Sequence, residues 1–479
     1  FGRVLGGDPA HRITVMSSFF GAVALCALFL VLRKFGLSIG IALAGSVIYG
    51  LSFVFWWSAI RAEVYTLSIF TFLVSLWLAL HTFEKPTLLR AAVAAVGLGL
   101  TMSGHLSFAP AVLVLGLMIL FLKPFRSNWY LNWPVIAVAF IAGFAPYLYL
   151  VWADSAGLPI NYLDYTIELG SKQYGLTENT FSNSFRRVFW LIAGQESIRS
   201  LHSLRVMART SMQLVISQFV YQFSILALPV FILGGRDLLK NPGKKTWVLS
   251  GIFITSVIFC VIAGTRRMLL VFSLPMTITI AIVISFGIQS LLRKCRGNRI
   301  PHRLLVIFAG IILTVLMVGT SHLIRYHWDR SKAIKTSMKV MLDTGPPVDS
   351  IFPNFNDYWK PRIRGEQIMK LLPENSLVVF QWKYMVLFYL HHVEGMRPDI
   401  KLDSYDPYHF IRLRRWADKY DLASHPIVFV GRVTGLVDDI EGLVELPIDE
   451  EESIYICWGP LKYNKDSRFI KDDSHDLTP

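Results

Sequence analysis

Trp56-Trp57-Ser58-Ala59-Ile60-Arg61-Ala62-Glu63-Val64-Tyr65-Thr66-Leu67 closes one apolar run and opens the next, and its two ionisable residues other than tyrosine sit at the junction. The runs on either side, 38–60 and 66–82, have the length at which about 20 helical residues, rising about 1.5 Å each, cross a hydrocarbon core of about 30 Å. Working outward, further runs occur at 15–32, 88–104, 106–122, 130–152, 212–233, 247–264, 268–291 and 304–324. The pattern predicts a polytopic α-helical membrane protein with about ten spans. Lys and Arg in the alternate short loops fall fifteen on one side and three on the other. Cationic loops resist translocation. This bias assigns Arg33, Lys34, Lys85, Arg90, Lys123, Arg126 and the basic groups within 236–245 and 293–303 to the cytoplasm, and the Trp56–Leu67 junction to the outside.

Composition agrees. A chain of 479 residues with 53% hydrophobic and 17% charged residues has too little polar surface to cover a soluble globule. The net charge of +14 raises the question of nucleic acid, but much of the surplus lies in loops where topology alone accounts for it, so no nucleic-acid partner is expected. Cys26, Cys260, Cys295 and Cys457 show no metal-site spacing and no obvious pairing. No metal site or cofactor is therefore evident, and any need for a divalent metal is left open. The chain opens on Phe1-Gly2-Arg3, on the outer side by parity, with no earlier span, so the sequence reads as an N-terminally truncated fragment.

Two domains are expected, a transmembrane domain over 1–325 and an extracytoplasmic α/β domain over 326–479. Within the first, 153–210 is the one long loop between spans, on the outer side, with an amphipathic stretch around Phe185 to Ile192. The pair 88–104 and 106–122 is separated only by Ser103-Gly104-His105, which suits a short hairpin, a re-entrant loop or one long helix. The last would put the basic residues of 293–303 outside and is rejected. In the second domain, short apolar runs such as Leu377-Val378-Val379-Phe380 and Pro426-Ile427-Val428-Phe429-Val430 alternate with helical patterns.

Polar residues gather at the outer ends of the spans. Glu63 can pair with Arg61 or Arg266, or serve as an acid/base group near a substrate hydroxyl; the plainer alternative is an aromatic interfacial anchor with an ordinary ion pair. His105 can bind a phosphate or satisfy its nitrogens on helix-end groups. Arg266 and Arg267 lie outside, against the positive-inside bias, which suggests an anion there, either lipid headgroups or a phosphate-bearing substrate. Asn161, Asp164, Gln173 and Tyr174 offer polar groups and an aromatic face to a hydroxyl-rich ligand, although an ordered loop needs such residues for its own turns.

Ala62-Glu63-Val64-Tyr65-Thr66-Leu67, Gly99-Leu100 with Gly104-His105, Pro146-Tyr147-Leu148-Tyr149-Leu150, and Pro159 to Asp164 with Gln173-Tyr174 together resemble the transmembrane protein O-mannosyltransferase-like family. Leu372 to Phe380 and Val393 to Ile400 are similar to its extracytoplasmic domain, so the resemblance covers roughly residues 1–405. It is mostly a bacterial family of unknown function, with an animal member that mannosylates receptor ectodomains. The resemblance implies a C-type glycosyltransferase that takes sugar from a polyprenyl-phosphate donor at the outer face. It also implies that a carboxylate on the first outer loop, upstream of Phe1, is the general base. Two departures leave substrate choice open: Tyr162-Leu163-Asp164-Tyr165 stands where the family often has Trp-Gly-Asp-Pro, and Gln381-Trp382-Lys383 stands where acidic residues usually follow.

The expected activity is transfer of a sugar such as mannose from a polyprenyl-phosphate donor to a protein or glycan hydroxyl. Glu63 and His105 are the catalytic candidates. Arg61, Tyr65, Asn161, Asp164, Gln173, Tyr174, Arg266 and Arg267 are the binding candidates, and membrane lipid is a further partner. A transporter or flippase for a lipid-linked sugar is the alternative, although no repeat or mid-span charge supports it. The chain has no Asn-X-Ser/Thr sequon, which leans toward a bacterial inner membrane.

Overall fold

The computed structural model describes residues 9–61, 64–156, 184–192, 214, 217–240, 242–263, 269–294, 360–380, 384–404, 410–431, 440–448, 453–459 and 462–463. They fall into two compact units, one within 9–294 and the other within 360–463.

The first unit is helical. It begins with α1 (Pro9–Lys34), α2 (Ile39–Gly50), α3 (Phe53–Ala59), α4 (Tyr65–Glu84), α5 (Leu88–Gly104), α6 (Ala109–Leu120), α7 (Lys123–Ser127), α8 (Trp129–Ala142) and α9 (Ala145–Ser155). It continues with α10 (Ser184–Ile192), α11 (Ala227–Lys240), α12 (Lys244–Ala263), α13 (Leu269–Phe272) and α14 (Leu274–Lys294). Two starts follow basic loops and carry side-chain caps: Ser38 accepts from the Ile41 N–H and Thr87 from the Arg90 N–H, each at 3.4 Å. Among the described residues, four helices are long and apolar enough to cross a membrane: His11–Lys34, Tyr65–Glu84, Lys244–Ile262 and Leu274–Arg293. The count rises to six if α2 with α3, bent by 72°, and α8 with α9, bent by 47°, are each one span. The runs expected at 88–104 and 106–122 form shorter apolar helices, and 304–324 and part of 212–233 lie outside the described residues. Val135, Val138, Ile141, Leu148, Tyr149 and Trp152 are exposed along α8 and α9, a surface that water would penalise and lipid would not.

Apolar periodicity does not announce the bends, because a span can be apolar all round. At a break inside a membrane, the freed backbone groups must find partners. The N–H of Val54, at the start of α3, donates to Oε1 of the buried Gln222 at 2.9 Å. Ser52 Oγ donates to the Tyr49 carbonyl at 2.7 Å. Gln222 ends a π-helical turn, Ser217–Gln222, whose Gln218 donates to Ser273 Oγ at 3.1 Å and accepts from Thr277 Oγ1 at 2.9 Å. Ser273 is the break between α13 and α14, so one irregular turn serves two helix breaks.

Close crossings are made by glycine. A Cβ on Gly99 would strike the Phe140 carbonyl and one on Gly143 the Val96 carbonyl, so α5 and α8 meet backbone to backbone. Gly234 and Gly287 do the same for α11 and α14. Dispersion between closely approaching backbones replaces the hydrophobic drive that lipid removes.

The second unit is a small α/β domain containing α15 (Lys360–Leu371), β1 (Leu377–Phe380), α16 (Met385–His392), β2 (Lys401–Ser404), α17 (Phe410–Lys419), β3 (Ile427–Val430), β4 (Ile440–Glu441), β5 (Val444–Pro447), β6 (Ser453–Cys457) and β7 (Lys462–Tyr463). The main sheet has the order β2-β1-β3-β6-β5, with β1 parallel to both β2 and β3, and β6 antiparallel to its neighbours. Side chains alternate across a strand, so Val378 and Phe380 pack with Ile368 and Leu387 from α15 and α16, while Leu377 and Val379 pack with Leu413 of α17. Burial on both faces explains why β1 and β3 read as unbroken apolar runs. Arg397 closes the end of α15 by donating to the carbonyls of Met369, Leu372 and Pro373 at 2.6–2.8 Å and pairing with Asp399 at 2.7 Å. The Arg397 hydrogen bond pulls the Asp399 carboxyl down to about 2.

Candidate functional site

The junction after Trp57 delivers Tyr65 as the first residue of α4, and the end of α5 delivers His105 beside it. The reason is local: Gly104 lacks a Cβ, and Ser68 Oγ of α4 lies 2.6 Å from where that Cβ would stand. The two helix ends therefore close on each other, with the Tyr65 and His105 rings edge to face at 5.1 Å between centroids. Phe272, the last residue of α13, approaches His105 at 6.4 Å and packs on Phe259 at 5.5 Å. His105 thus sits between aromatic groups from two directions.

His105 has extended backbone, φ −162 and ψ 134, and a 3-10 turn, Leu106–Phe108, separates it from α6. One long helix through this point is therefore excluded, as the sequence reading held. The His105 ring caps the turn. Nδ1 accepts from the Ser107 backbone N–H at 3.1 Å and lies 2.9 Å from Ser107 Oγ. A backbone N–H can only donate, so Nδ1 presents its lone pair and the proton of a neutral ring sits on Nε2. Among the described residues no hydrogen-bond partner is assigned to Nε2. The arrangement makes His105 a fixed neutral donor, which suits an oxygen of a phosphate or a sugar.

Arg61 lies over the Trp57 ring at 4.4 Å, the contact expected of an interfacial anchor. Of the residues singled out in the sequence, Arg61, Tyr65 and His105 are described; Tyr65 and His105 come together. Glu63, Asn161, Asp164, Gln173, Tyr174, Arg266 and Arg267 lie outside the described residues. The stretch Gln381-Trp382-Lys383 does too.

Sequence reasoning passed over several contributors. Asp154, near the end of α9 and 6% exposed, pairs with Arg187 of α10 at 2.9 Å. The amphipathic stretch at 185–192 was legible, but a partner 33 residues away was not. Ser107 was missed because its contribution is a backbone N–H. Among the described residues, no group of three or more His, Cys, Asp or Glu is placed to hold a metal ion.

A bundle of apolar helices with lipid-suited outer faces and a hydrogen-bonded aromatic cluster at one end defines an integral membrane protein. Residues 4–129, which include the junction, Tyr65 and His105, match the family model for the Protein O-mannosyl-transferase TMEM260 N-terminal domain. Over this stretch the chain is similar to that glycosyltransferase family, in agreement with the resemblance read from its residues. No curated protein matches the chain. Solved structures similar to it include two of the Archaeoglobus fulgidus oligosaccharyltransferase. For the complex with zinc and sulfate the identity is 12% and the TM-score 0.40, over 83% of this chain and 51% of that one. For the apo form the identity is 11% and the TM-score 0.38, over 81% and 53%. The chain thus spans about half the length of those proteins.

Proposed function

We propose that this chain is a C-type glycosyltransferase that moves a sugar, mannose foremost, from a polyprenyl-phosphate donor to a protein or glycan hydroxyl on the extracytoplasmic face of a bacterial inner membrane. The observation that carries the reading is the family match over residues 4–129, which brings the Tyr65–His105 pair with it. The acceptor hydroxyl attacks the anomeric carbon, its proton passes to a carboxylate, and the bond to the lipid phosphate breaks. Charge grows on the leaving phosphate in that step, so donors fixed before the reaction stabilise the transition state more than the bound donor. In this reading the Nε2–H of His105 is one such donor, and Arg266 with Arg267 supplies the positive charge. Glu63 acts on a substrate hydroxyl, and Arg61 and Tyr65 hold the donor. Asn161, Asp164, Gln173 and Tyr174 bind the sugar, and the α/β domain is extracytoplasmic.

The breaks of 72° and 47° favour a second reading, transport of a lipid-linked sugar, because interrupted helices often line transport sites. Transfer of radiolabelled sugar by membranes carrying the full-length gene, beside its Glu63→Gln variant, separates the two. Transfer that is lost in the variant supports the enzyme. Absence of transfer from every donor, with the protein folded and inserted, favours transport.

A further inference from the structure

At the opposite end of α4 from Tyr65, a cavity of about 480 Å³ opens between α4, α11, α12 and α14. The basic loops are at this end, the one the charge bias assigns to the cytoplasm. Its walls have two characters. Phe35, Leu80, Phe83 and Phe286 make one side apolar, with Phe35 and Phe286 edge to face at 6.1 Å. Glu84, Asp237, Lys244 and Lys245 make the other side charged.

The charges do not cancel. Glu84 is held by Lys34 at 2.5 Å, and Asp237 by Arg293 at 3.4 Å, so both carboxylates already have a cation. Lys245 donates to the Lys34 carbonyl at 2.6 Å and is 3.9 Å from Glu84, while Lys244 donates to the Phe83 carbonyl at 3.4 Å. A carbonyl takes a hydrogen bond but not a charge, so Lys244 is aimed without being neutralised, and Lys245 shares with Lys34 the single charge of Glu84. These six groups are four cations and two carboxylates, and the positive excess faces a space with an aromatic side.

We propose that this cavity is a binding site for the headgroup of an anionic membrane phospholipid. Its phosphate lies against Lys244 and Lys245, and its glycerol and first methylenes lie against Phe83 and Phe286. Charge alone would suit free phosphate equally. The apolar wall and the position at a membrane face favour lipid, because burying methylenes there adds affinity that a soluble anion cannot gain.

The test is native mass spectrometry of the full chain in detergent with phosphatidylglycerol, phosphatidylcholine or glycerol 3-phosphate. Phosphatidylglycerol is expected to be retained about tenfold more than phosphatidylcholine, since charge-assisted contacts to phosphate decide the difference. Lys244→Ala with Lys245→Ala should lower that retention about tenfold, and Lys244→Arg with Lys245→Arg should keep it within about threefold, because charge is preserved. Equal retention of the two lipids by the unmodified chain overturns the proposal, whether or not the alanine variant folds. So does unchanged phosphatidylglycerol retention in a folded alanine variant. Lysine-dependent binding of glycerol 3-phosphate as strong as that of the lipid overturns the lipid assignment.

Discussion

The two ends of α4, about 30 Å apart for a helix of this length, solve the problem of polar groups at a membrane edge differently. At the Glu84 end, cations outnumber carboxylates and are tied down by ion pairs and by carbonyls of neighbouring helices. At the Tyr65 end, His105 is uncharged, wedged between aromatic rings and fixed by a backbone N–H so that a donor is left over. Charge in excess sets orientation and attracts lipid. A single donor held among aromatic rings discriminates between states of a reaction, because it is worth most where water is excluded. The chemistry is therefore expected at the His105 end, although the Glu84 end has more charge.

That contrast can be broken by exchange at either end. The largest effect is expected for His105→Phe, which keeps an aromatic ring between Tyr65 and Phe272 but removes the donor. Sugar transfer should fall about 100-fold, the scale of losing one preorganised donor, while loss of the cap on the Ser107 N–H lowers stability in detergent by only about 1 kcal/mol. A fall of less than about threefold would make His105 a packing residue. Next, Gly143→Val forces α5 and α8 apart and should cost about 1–3 kcal/mol, the range for overpacking, read as a lower melting temperature before any specific loss of activity. If stability were unchanged, the crossing would be looser than the Gly99 and Gly143 contacts imply.

The sheet unit offers a control remote in kind from both ends. Asp399 is held below its unfolded value by Arg397, so this pair contributes stability that is present above the unfolded carboxyl range and is lost as pH falls toward about 2. Amide protection factors in the 372–400 segment, taken against the intrinsic rate at each pH, should fall between about pH 4 and pH 2, and Asp399→Asn should remove that fall. The smallest effect is expected for Glu84→Gln. It lies at the end without the proposed chemistry and should leave transfer within about twofold, since exposed ion pairs contribute about 1 kcal/mol or less. A larger loss would mean that the two ends are coupled.

Much of the fold was legible because lipid permits few solutions. Four long spans and the 185–192 helix appear where the apolar pattern placed them, and β1 and β3 coincide with the two apolar runs chosen for the sheet. The bends were not legible, because turning a span does not alter its apolar character; what betrays the α2–α3 break is Gln222, 168 residues from the N–H that it receives. The site was legible as residue types but not as a geometry. Tyr65 and His105 were both singled out, yet their meeting depends on the space left by Gly104, and the tautomer of His105 depends on a backbone group two residues on.

The most direct test is photocrosslinking of a diazirine-bearing polyprenyl-phosphate sugar to the full chain, followed by peptide mapping. The account predicts crosslinks in peptides containing Tyr65, His105 or Phe272, competed away by unlabelled donor. Competable crosslinks confined to the Glu84, Lys244 and Lys245 peptides, with none at His105, would contradict it.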